Sequence, residues 1–504
     1  MTMKPVFHRS DMIRCALCGN APCGSACPAF DPSTVLRSIW FRNEAPAAAA
    51  LPDTLPCMNC EAPCEAACVR AGEVPIRKLM IRLKEEVLPN NEGPIPQDEE
   101  RLRCDFCGIP MENPFLLSSS VVASTYDMCA RAFEAGWGGA AFKTICTFDI
   151  HEASPRFSAI QGDSGSIIGF KNIEQLSDHS VKENMEIFRK LKKNYPTKFI
   201  LASIMGRNED EWEELARLCD ENGADAIELN FSCPNLEEGG LGSDIGQNEE
   251  LVERFTRAAR RGTSKPILAK LTPNVAQMSP FAEAAKRGGA DGIAAINTIK
   301  SITKVNPFTY VSAPAVHGMS AVGGYSGNAV KPIGLRFIAE LGKNPELKDM
   351  HISGMGGIET WKDAVEYIML GSSSVQVTTA VMQYGYRIID DLKSGLNTFL
   401  AWSGRDSVRD MIGLALDAVS STTDVLERDT ILFPKFNHDT CIGCGRCEIS
   451  CADGGHQAIH LDETRHPKLD GSKCVGCHLC ILVCPSRSIV PSGKRIKRPA
   501  HHKE

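Results

Sequence analysis

The chain has 504 residues and a formal net charge of −7, and 43% of its residues are hydrophobic. This size predicts one large domain with accessories, or three to four small domains, around a sizeable core. The mildly acidic charge and the lack of a long basic stripe argue against a nucleic-acid-binding protein.

The 22 cysteines cluster in short-spaced groups near both ends of the chain. The N-terminus has no apolar segment typical of a signal peptide, and no apolar run is long enough to span a bilayer, so we expect a cytoplasmic protein. In that compartment, grouped cysteines indicate metal or cluster ligation rather than disulfide bonding.

Residues 1–87 are predicted to form an iron–sulfur domain. Zinc is the alternative metal, because paired C-x2-C motifs commonly bind it. Four thiols per group, and the proline that follows Cys27 in the first group, favour two [4Fe-4S] clusters. Helices are predicted over Thr34–Asn43 and, with an amphipathic pattern, over Ile76–Val87. The two groups are Cys15, Cys18, Cys23 and Cys27, and Cys57, Cys60, Cys64 and Cys68.

Residues 88–103, rich in Pro, Asn and Glu, are predicted to be a linker. Residues 104–400 then alternate short apolar runs with helical patterns such as Glu209–Glu221 and Gln277–Arg287. Eight such units predict an α/β fold of the (β/α)8 barrel type. A doubly wound sheet is the alternative, but no G-x-G-x-x-G follows a strand. The predicted strands are Pro114–Ser118, Gly139–Lys143, Phe199–Ile204, Ala224–Asn230, Pro266–Leu271, Gly292–Asn297, His351–Ser353 and Ser374–Thr378.

Polar residues collect at the C-terminal ends of these strands, where barrels place their active sites. Strand four runs through Asn230 into Cys233 and Pro234. Because proline cannot continue a central strand, the chain must turn out there. We expect Cys233 to be an exposed acid or nucleophile at the barrel mouth, with a small buried hydrophobe as the alternative.

The ends of strands seven and eight predict a phosphate site, built from two glycines and two threonines. Lys143 and Lys270 end strands two and five. One such lysine would usually be a paired structural charge, but two beside a phosphate site suggest an anionic cofactor. The phosphate residues are Gly356, Gly357, Thr378 and Thr379.

Residues 401–435 have a helical pattern and are predicted to be a connector. Residues 436–490 carry two C-x2-C-x2-C-x3-C runs, the pattern of two-cluster ferredoxins, in which the fourth cysteine of each run ligates the other cluster. The basic residues 491–504 are predicted to be a solvated tail. The expected ligand sets are Cys441, Cys444, Cys447 and Cys484, and Cys451, Cys474, Cys477 and Cys480.

The barrel and the ferredoxin-like segment, roughly Cys107–Val490, resemble the dihydropyrimidine dehydrogenase family. The N-terminal cysteines resemble the iron–sulfur domain of that enzyme's other subunit, which also occurs in glutamate synthase small subunits. The motifs that carry the resemblance are FKT at Phe142–Thr144, GFKNIE at Gly169–Glu174, NFSCPN at Asn230–Asn235, AKLTPN at Ala269–Asn274, INT at Ile296–Thr298 and GGYSG at Gly323–Gly327.

The resemblance implies reversible reduction of uracil or thymine to the 5,6-dihydro form, with FMN in the barrel and four [4Fe-4S] clusters. Hydride passes from the FMN N5 to C6, and Cys233 supplies or takes the proton at C5, a role that suits a thiol pKa near neutrality. The implied FMN residues are Ser119, Lys143, Thr144, Asn230, Lys270, Ser326, Gly327, Gly356, Gly357, Thr378 and Thr379. The implied pyrimidine residues are Asn172, Glu174, Asn230, Asn297 and Thr298; amides can satisfy both donors and acceptors of the ring edge, and Glu174 can accept from a ring N–H.

The chain departs from the family in two ways. The FAD- and NAD(P)-binding domains are missing, and residues 88–103 stand in their place, so electrons must pass to or from a partner flavoprotein or ferredoxin. We also expect a homodimer or hetero-oligomer. The glutamine that ligates the family's second N-terminal cluster is missing from Pro75–Arg82, and Cys57 could replace it. The resemblance then pairs Cys15, Cys18, Cys23 and Cys68 in one cluster, and Cys27, Cys57, Cys60 and Cys64 in the other.

Two other functions compete with this one. A dihydroorotate dehydrogenase would share the barrel, FMN and the SCPN motif, but Glu174 would repel the substrate's carboxylate. An electron-relay subunit would use the barrel only as scaffolding, which the polar strand ends argue against. The other cysteines, at 104, 107, 129, 146 and 219, have no ligand spacing, and Cys129 and Cys219 are predicted to be buried filler.

Overall fold

The computed structural model describes residues 7, 9–12, 14–70, 73–87, 97–162, 167–235, 241–420 and 426–497. Contacts divide the chain into two units, Met1–Asp417 and Ala418–Glu504. The predicted N-terminal domain and the predicted barrel therefore belong to one unit. In the described part of the chain, no helix is both long and apolar enough to cross a membrane.

The first unit is built on a closed barrel of eight parallel strands, which confirms the predicted fold class. Strand eight pairs with strand one, Val375 opposite Phe115, so the sheet has no edges and is not doubly wound. Apolar strands suit this position because helices cover the outer face of the barrel. The strands are Phe115–Leu117, Gly139–Ile145, Phe199–Ile204, Ala226–Asn230, Ile267–Lys270, Gly292–Ala295, His351–Met355 and Ser374–Val377.

The helices around the barrel begin at side-chain caps or prolines. Asn208 accepts a hydrogen bond from the backbone of Glu211 and starts the helix Glu209–Glu221 as predicted. The helix predicted from Gln277 begins at Ser279, because Pro280 suits a first turn. The helices are Tyr126–Ala135, Val181–Asn194, Glu209–Glu221, Glu249–Gly262, Ser279–Arg287, Lys331–Lys343, Trp361–Met369, Thr379–Tyr384 and Ile388–Trp402.

A four-stranded antiparallel sheet lies in the loops that follow barrel strands two and six, and the sequence analysis did not predict it. Its strands are short and partly exposed, so they carry no long apolar run. The sheet joins distant motifs, because Gly324 pairs with Asn172. In spatial order the strands are Ile299–Ser301, Gly323–Ser326, Ile167–Asn172 and Phe157–Gln161.

The N-terminal segment folds into short helices that contact the last helices of the barrel. The helix predicted over Thr34–Asn43 runs from Pro32 to Trp40, because Asp31 caps it two residues earlier than expected. The indole of Trp361 donates to the carbonyl oxygen of Arg42 at 2.9 Å. The helices are Pro22–Ala26, Pro32–Trp40, Glu44–Ala49, Pro63–Ala66 and Ile76–Glu86.

The predicted linker is described only from residue 97. The carbonyl oxygen of Asp98 accepts a hydrogen bond from Asn397 at 2.7 Å, and Lys393 pairs with Glu99 at 2.8 Å. This end of the linker is therefore attached to the barrel. Residues 88–96 lie outside the described residues.

The helical connector predicted over 401–435 is wrong for most of its length. The barrel's last helix ends at Trp402, and Thr430–Phe436 is a strand paired with Ile489–Lys497. The β-branched and aromatic residues of Thr430–Phe436 favour a strand. Residues 491–497 of the predicted tail belong to the strand Ile489–Lys497, so this part of the tail prediction is wrong. Residues 498–504 lie outside the described residues. The other elements of the second unit are strands Ile459–Leu461 and Pro467–Leu469 and helices Arg446–Gly454 and Leu479–Leu482.

A hairpin and several short 3-10 helices complete the elements. The hairpin pairs Cys104–Phe106 with Ile109–Met111 just before the barrel. The 3-10 turns are Arg9–Met12, Pro56–Met58, Glu99–Leu102, Val121–Ala123, Gly242–Gln247, Asn328–Val330, Pro345–Leu347, Val408–Met411 and Leu416–Ala418.

Candidate active site and cysteine sets

One cavity at the C-terminal end of the barrel contains every residue predicted for catalysis, substrate binding or flavin binding. These residues come from seven barrel strands and the added sheet, so only the closed barrel brings them together. The predicted residues in the cavity are Ser119, Lys143, Thr144, Asn172, Glu174, Asn230, Cys233, Lys270, Asn297, Thr298, Ser326, Gly327, Gly356, Gly357, Thr378 and Thr379.

Cys233 lines the cavity, but its predicted exposure is wrong, since only 5% of the residue is accessible. The backbone of Ser243 donates to the Cys233 carbonyl oxygen at 3.0 Å. Gly242 has φ +54°, and a Cβ there would lie 2.4 Å from the same oxygen. A glycine is therefore needed where the following loop closes over the cysteine.

The amides beside Cys233 hold one another in fixed orientations. Asn230 donates to the Thr144 hydroxyl at 2.9 Å and accepts from the Ser232 hydroxyl at 2.9 Å. Asn297 in turn donates to Ser232 Oγ at 2.8 Å. These side chains come from barrel strands two and four and from the end of strand six, and they form one rigid polar wall.

The added sheet supplies a second polar wall. Asn235 Nδ2 donates to Asn172 Oδ1 at 3.0 Å and to the Glu174 carbonyl oxygen at 2.6 Å. Asn172 donates to the Gly324 carbonyl oxygen at 3.1 Å. The loop that carries Cys233 is thus tied to the predicted pyrimidine residues.

Glu174 lies in a cluster of four charges. Its carboxylate pairs with Lys143 at 2.9 Å and with Arg156 at 2.8 Å, and Lys143 also contacts Glu152 at 3.3 Å. Burial raises the pKa of Glu152 above its ordinary value. Lys143 is therefore a paired charge, which weakens its use as a sign of an anionic cofactor.

Lys270 is also a paired charge, because its Nζ lies 3.1 Å from Glu228 Oε1. Gln376 donates to the other oxygen of Glu228 at 3.2 Å and to Ser353 at 3.2 Å. The Oε1 atom of Gln376 is buried and has no hydrogen-bond partner among the described residues. Both lysines are therefore paired charges, and a buried hydrogen-bond acceptor lines the same cavity.

Hydroxyl groups gather where the phosphate was predicted. The hydroxyl oxygens of Ser120 and Thr378 lie 3.1 Å apart, and the Thr379 hydroxyl donates to Ser326 Oγ at 3.0 Å. Gly357 has φ +74°, and a Cβ there would lie 2.7 Å from the Gly327 carbonyl oxygen. The glycine lets two segments of the cavity wall approach each other.

The N-terminal cysteines form two sets that match the pairing implied by the resemblance. Burial, and then the charges of Cys60, Cys64 and Cys27, raise the pKa of Cys57 to about 11. Burial, and then the charges of Cys15 and Cys68, raise the pKa of Cys23 to about 11. One cavity of about 650 Å³ is lined by Cys15, Cys18, Cys23 and Cys68.

The second unit has two small cavities, each lined by four cysteines. Each set takes its fourth cysteine from the other run, as the ferredoxin pattern predicts. Among the described residues, no three His, Cys, Asp or Glu side chains are close enough together to hold a single metal ion. The two sets are Cys441, Cys444, Cys447 and Cys484, and Cys451, Cys474, Cys477 and Cys480.

Comparisons with known proteins agree with this architecture. A family model described as dihydroorotate dehydrogenase matches residues 101–400, and a 4Fe-4S dicluster domain model matches residues 435–490. The chain is 54% identical over 362 residues to the NAD-dependent dihydropyrimidine dehydrogenase subunit PreA of Escherichia coli strain K12, covering 72% of this chain and 88% of the relative.

Two further relatives bear other printed activities. Identity is 35% over 344 residues to the chloroplastic dihydropyrimidine dehydrogenase (NADP(+)) of Arabidopsis thaliana, covering 66% of this chain and 81% of the relative. It is 37% over 313 residues to the dihydroorotate dehydrogenase B (NAD(+)) catalytic subunit of Pyrococcus horikoshii, covering 61% of this chain and 96% of the relative.

The barrel, its polar cavity and the cysteine sets define an oxidoreductase that uses a flavin and iron–sulfur clusters. The chain belongs to the dihydroorotate dehydrogenase family. The electron-relay alternative, in which the barrel is scaffolding, is therefore wrong. Residues 1–100 lie outside both matched family models.

The cavity fits a flavin. Hydroxyls of Ser120, Thr378 and Thr379 can donate to a phosphate, and the buried Oε1 of Gln376 can accept from a ring N–H. Lys143 and Lys270 line the same cavity and can donate to ring oxygen or nitrogen atoms.

Several residues of the cavity and of its supporting shell were missed in the sequence. Asn235 had a signal, since it ends the NFSCPN motif. Gln376 lies two residues before the end of the predicted strand Ser374–Thr378 and could have been found in the same way as Lys143. Arg156 and Glu152 had none, because the unpredicted hairpin brings them to Glu174.

Proposed function

We propose that this chain catalyses the reversible reduction of uracil or thymine to the 5,6-dihydro form, as a dihydropyrimidine dehydrogenase. The observation that carries this proposal is the joint presence, in one cavity, of the Cys233 thiol, three amides and the Glu174 carboxylate. The identity of 54% to a dihydropyrimidine dehydrogenase subunit supports it.

The amides would recognise the pyrimidine edge. Asn172, Asn230 and Asn297 offer both donors and acceptors, which the alternating N–H and C=O groups of the ring require. Thr298 adds a hydroxyl beside Asn297, whose Oδ1 accepts from the Thr298 backbone at 2.7 Å. Because the amides are already held by neighbours, such a site rejects rings that lack matching groups.

Glu174 would accept from a ring N–H. Its two cationic neighbours, Lys143 and Arg156, hold the carboxylate in place. When bound, FMN supplies the hydride to or from the substrate and exchanges single electrons with the clusters.

Cys233 would supply or take the proton at C5. A thiol suits both directions because its ordinary pKa is near enough to neutrality for both forms to be reached. Only 5% of the residue is accessible, so the thiol is largely shielded from bulk water. Gly242 and Ser243, which contact the Cys233 backbone, limit how far the thiol can move.

A second candidate function is oxidation of dihydroorotate. The Glu174 carboxylate by itself would repel the carboxylate of dihydroorotate. In the structure Lys143 and Arg156 offset that charge, so the repulsion is weaker than the sequence alone suggested. The 37% identity to a dihydroorotate dehydrogenase B subunit also favours this candidate.

We further propose four [4Fe-4S] clusters on the four cysteine sets, and a partner that exchanges electrons with them. The partner would be an FAD- and NAD(P)-binding flavoprotein or a ferredoxin, because this chain shows no dinucleotide fingerprint. The match to a protein named as a subunit supports a partner. Assembly as a homodimer or hetero-oligomer, and location in the cytoplasm, remain predictions.

The test is an anaerobic absorbance titration of the cluster-loaded chain with dihydrouracil and, separately, with dihydroorotate. Bleaching of the flavin and cluster bands by dihydrouracil alone supports the proposal. Bleaching by dihydroorotate alone transfers the chain to the second candidate. No bleaching by either substrate, with full bleaching by dithionite, would refute both.

The variant Glu174→Gln separates the two candidates by the sign of its effect. It should weaken dihydrouracil binding about 10-fold or more, because a charge-assisted acceptor is lost. If dihydroorotate is the substrate, the same change removes a like charge and should tighten binding. Flavin content, measured by absorbance, is the control in both cases.

A further inference from the structure

Arg387 reaches from the barrel to the first N-terminal cysteine set. It stands between the helices Thr379–Tyr384 and Ile388–Trp402 and donates from Nε to the Tyr384 carbonyl oxygen at 3.2 Å. Its guanidinium also donates to the carbonyl oxygens of Cys18, at 3.0 Å, and Leu17. The side chain lines the cavity of about 650 Å³ that contains Cys15, Cys18, Cys23 and Cys68.

Arg387 differs from the other charged residues around this cavity. Arg37 pairs with Asp390 and Asp391, and Arg70 pairs with Glu73 at 3.4 Å. Asp31 is held as the cap of the helix Pro32–Trp40. Within the described residues, the hydrogen bonds of Arg387 go to carbonyl oxygens and none to a carboxylate.

Buried hydrogen bonds and a ring contact hold this cysteine set against the last helices of the barrel. Asp391 is 2% exposed and accepts from Arg37 Nε at 2.8 Å and from the Ser38 hydroxyl at 2.7 Å. The rings of Phe41 and Tyr384 meet edge to face at 5.1 Å between centroids. Arg387, three residues after Tyr384, therefore has a defined position relative to the cysteines.

We propose that Arg387 is a positioning residue that raises the reduction potential of the cluster held by Cys15, Cys18, Cys23 and Cys68. This inference rests on the N-terminal clusters of the proposed function. A [4Fe-4S] cluster with four thiolates is negative in both oxidation states and gains one further negative charge when it takes an electron. A cation with no carboxylate beside it stabilises the reduced state more than the oxidised one.

A short helix connects the flavin cavity with Arg387. The helix Thr379–Tyr384 leads from the flavin cavity, which Thr379 lines, to Arg387. Six helical residues rise about 9 Å. One helix of the barrel therefore begins at the flavin cavity and ends close to the arginine that contacts this cysteine set.

The test is an anaerobic potentiometric titration of the holo chain, followed by electron paramagnetic resonance, for wild type, R387Q, R387K and R70Q. In R387Q we expect the midpoint potential of one cluster to fall by about 59 mV. At the wild-type midpoint potential, this lowers the ratio of reduced to oxidised cluster by about tenfold. The other three clusters should keep their potentials. R387K keeps the charge and should retain most of the potential, although it cannot span both carbonyls.

R70Q is the matched control, because Arg70 lines the same cavity but its side chain is 45% exposed, so that water and salt screen its charge. We expect it to shift the potential far less than R387Q. Equal shifts in R387Q and R387K, equal shifts in R387Q and R70Q, or no shift in R387Q would each overturn the proposal.

Iron analysis separates this inference from the proposed function. About sixteen irons per wild-type chain with an unchanged potential in R387Q overturns the inference alone, whereas about eight irons overturns the inference together with the proposed N-terminal clusters. If R387Q loses a cluster, N20D carries the test, because Asn20 lines the same cavity and the change adds a negative charge without removing Arg387. It should lower the same potential, and an unchanged value would overturn the proposal.

Discussion

Replacing Glu228 by leucine should destabilise the barrel strongly. Glu228 is fully buried and Lys270 is 3% exposed, with 3.1 Å between Lys270 Nζ and Glu228 Oε1. The change leaves the Lys270 ammonium without its carboxylate in the barrel interior. Gln376 also loses one of its two acceptors and keeps only Ser353.

The cost follows from the burial of both partners. Removing one partner of a buried ion pair costs about 3–5 kcal/mol, because the other charge stays desolvated. For a barrel of this size, about 1 kcal/mol moves the melting temperature by roughly 2 °C. Glu228→Leu should therefore lower the melting temperature of the flavin-free chain by roughly 6–10 °C.

The assay is near-ultraviolet circular dichroism during heating, with Glu214→Leu as the control. Glu214 is half-exposed and pairs with Arg217 on a helix surface, so its loss should cost less than about 1 kcal/mol. The double variant Glu228→Leu/Lys270→Met removes the stranded charge and should recover most of the loss. A melting temperature for Glu228→Leu equal to that of the control, or no recovery in the double variant, would refute this reasoning.

Three other changes test separate parts of the molecule. Cys233→Ala should keep its flavin absorbance but lose at least about 100-fold in turnover, since proton transfer at C5 is lost, and a wild-type kcat would contradict the proposed role. Burial lowers the pKa of His351 to about 3, so its contribution to stability is complete above its unfolded pKa near 6.5 and falls by about 1.4 kcal/mol per pH unit as the pH drops toward 3. The melting temperature of His351→Gln should accordingly fall less than wild type between pH 7 and pH 5, and parallel curves would show that the buried imidazole is not responsible. Cys18→Ala and Cys27→Ala should each lose about four irons, and the double variant about eight, whereas a double variant that loses only four would place both thiols on one cluster.

The barrel could be predicted because each of its strands is a local apolar run and the helices between them have their own period. All eight predicted strands overlap the observed ones, with ends differing by a few residues. The added sheet escaped prediction because Phe157–Gln161 and Gly323–Ser326 are partly exposed and pair across long loops. Their pairing depends on register between distant segments, which no local pattern encodes.

The candidate site shows the same division. Cys233, Asn230 and Lys270 could be predicted as members of the cavity because parallel barrel strands all end at one face. The exposure of Cys233 was predicted wrongly, since the loop that covers it closes through Gly242. The ion pairs of Lys143 and Lys270 could not be predicted, because Glu152 and Glu228 come close to these lysines only in the folded chain.

By itself the sequence determined the barrel, the ferredoxin-like cysteine pattern and the chemical types of residue at the strand ends, since these follow from local periodicity and spacing. The tertiary structure alone decided how charges are compensated and where the N-terminal segment lies. Arg37 and Asp391 are 354 positions apart in sequence and meet at 2.8 Å, and Arg156 meets Glu174 through a hairpin. Such contacts depend on the distance between side chains in space, which becomes defined only when the chain is folded.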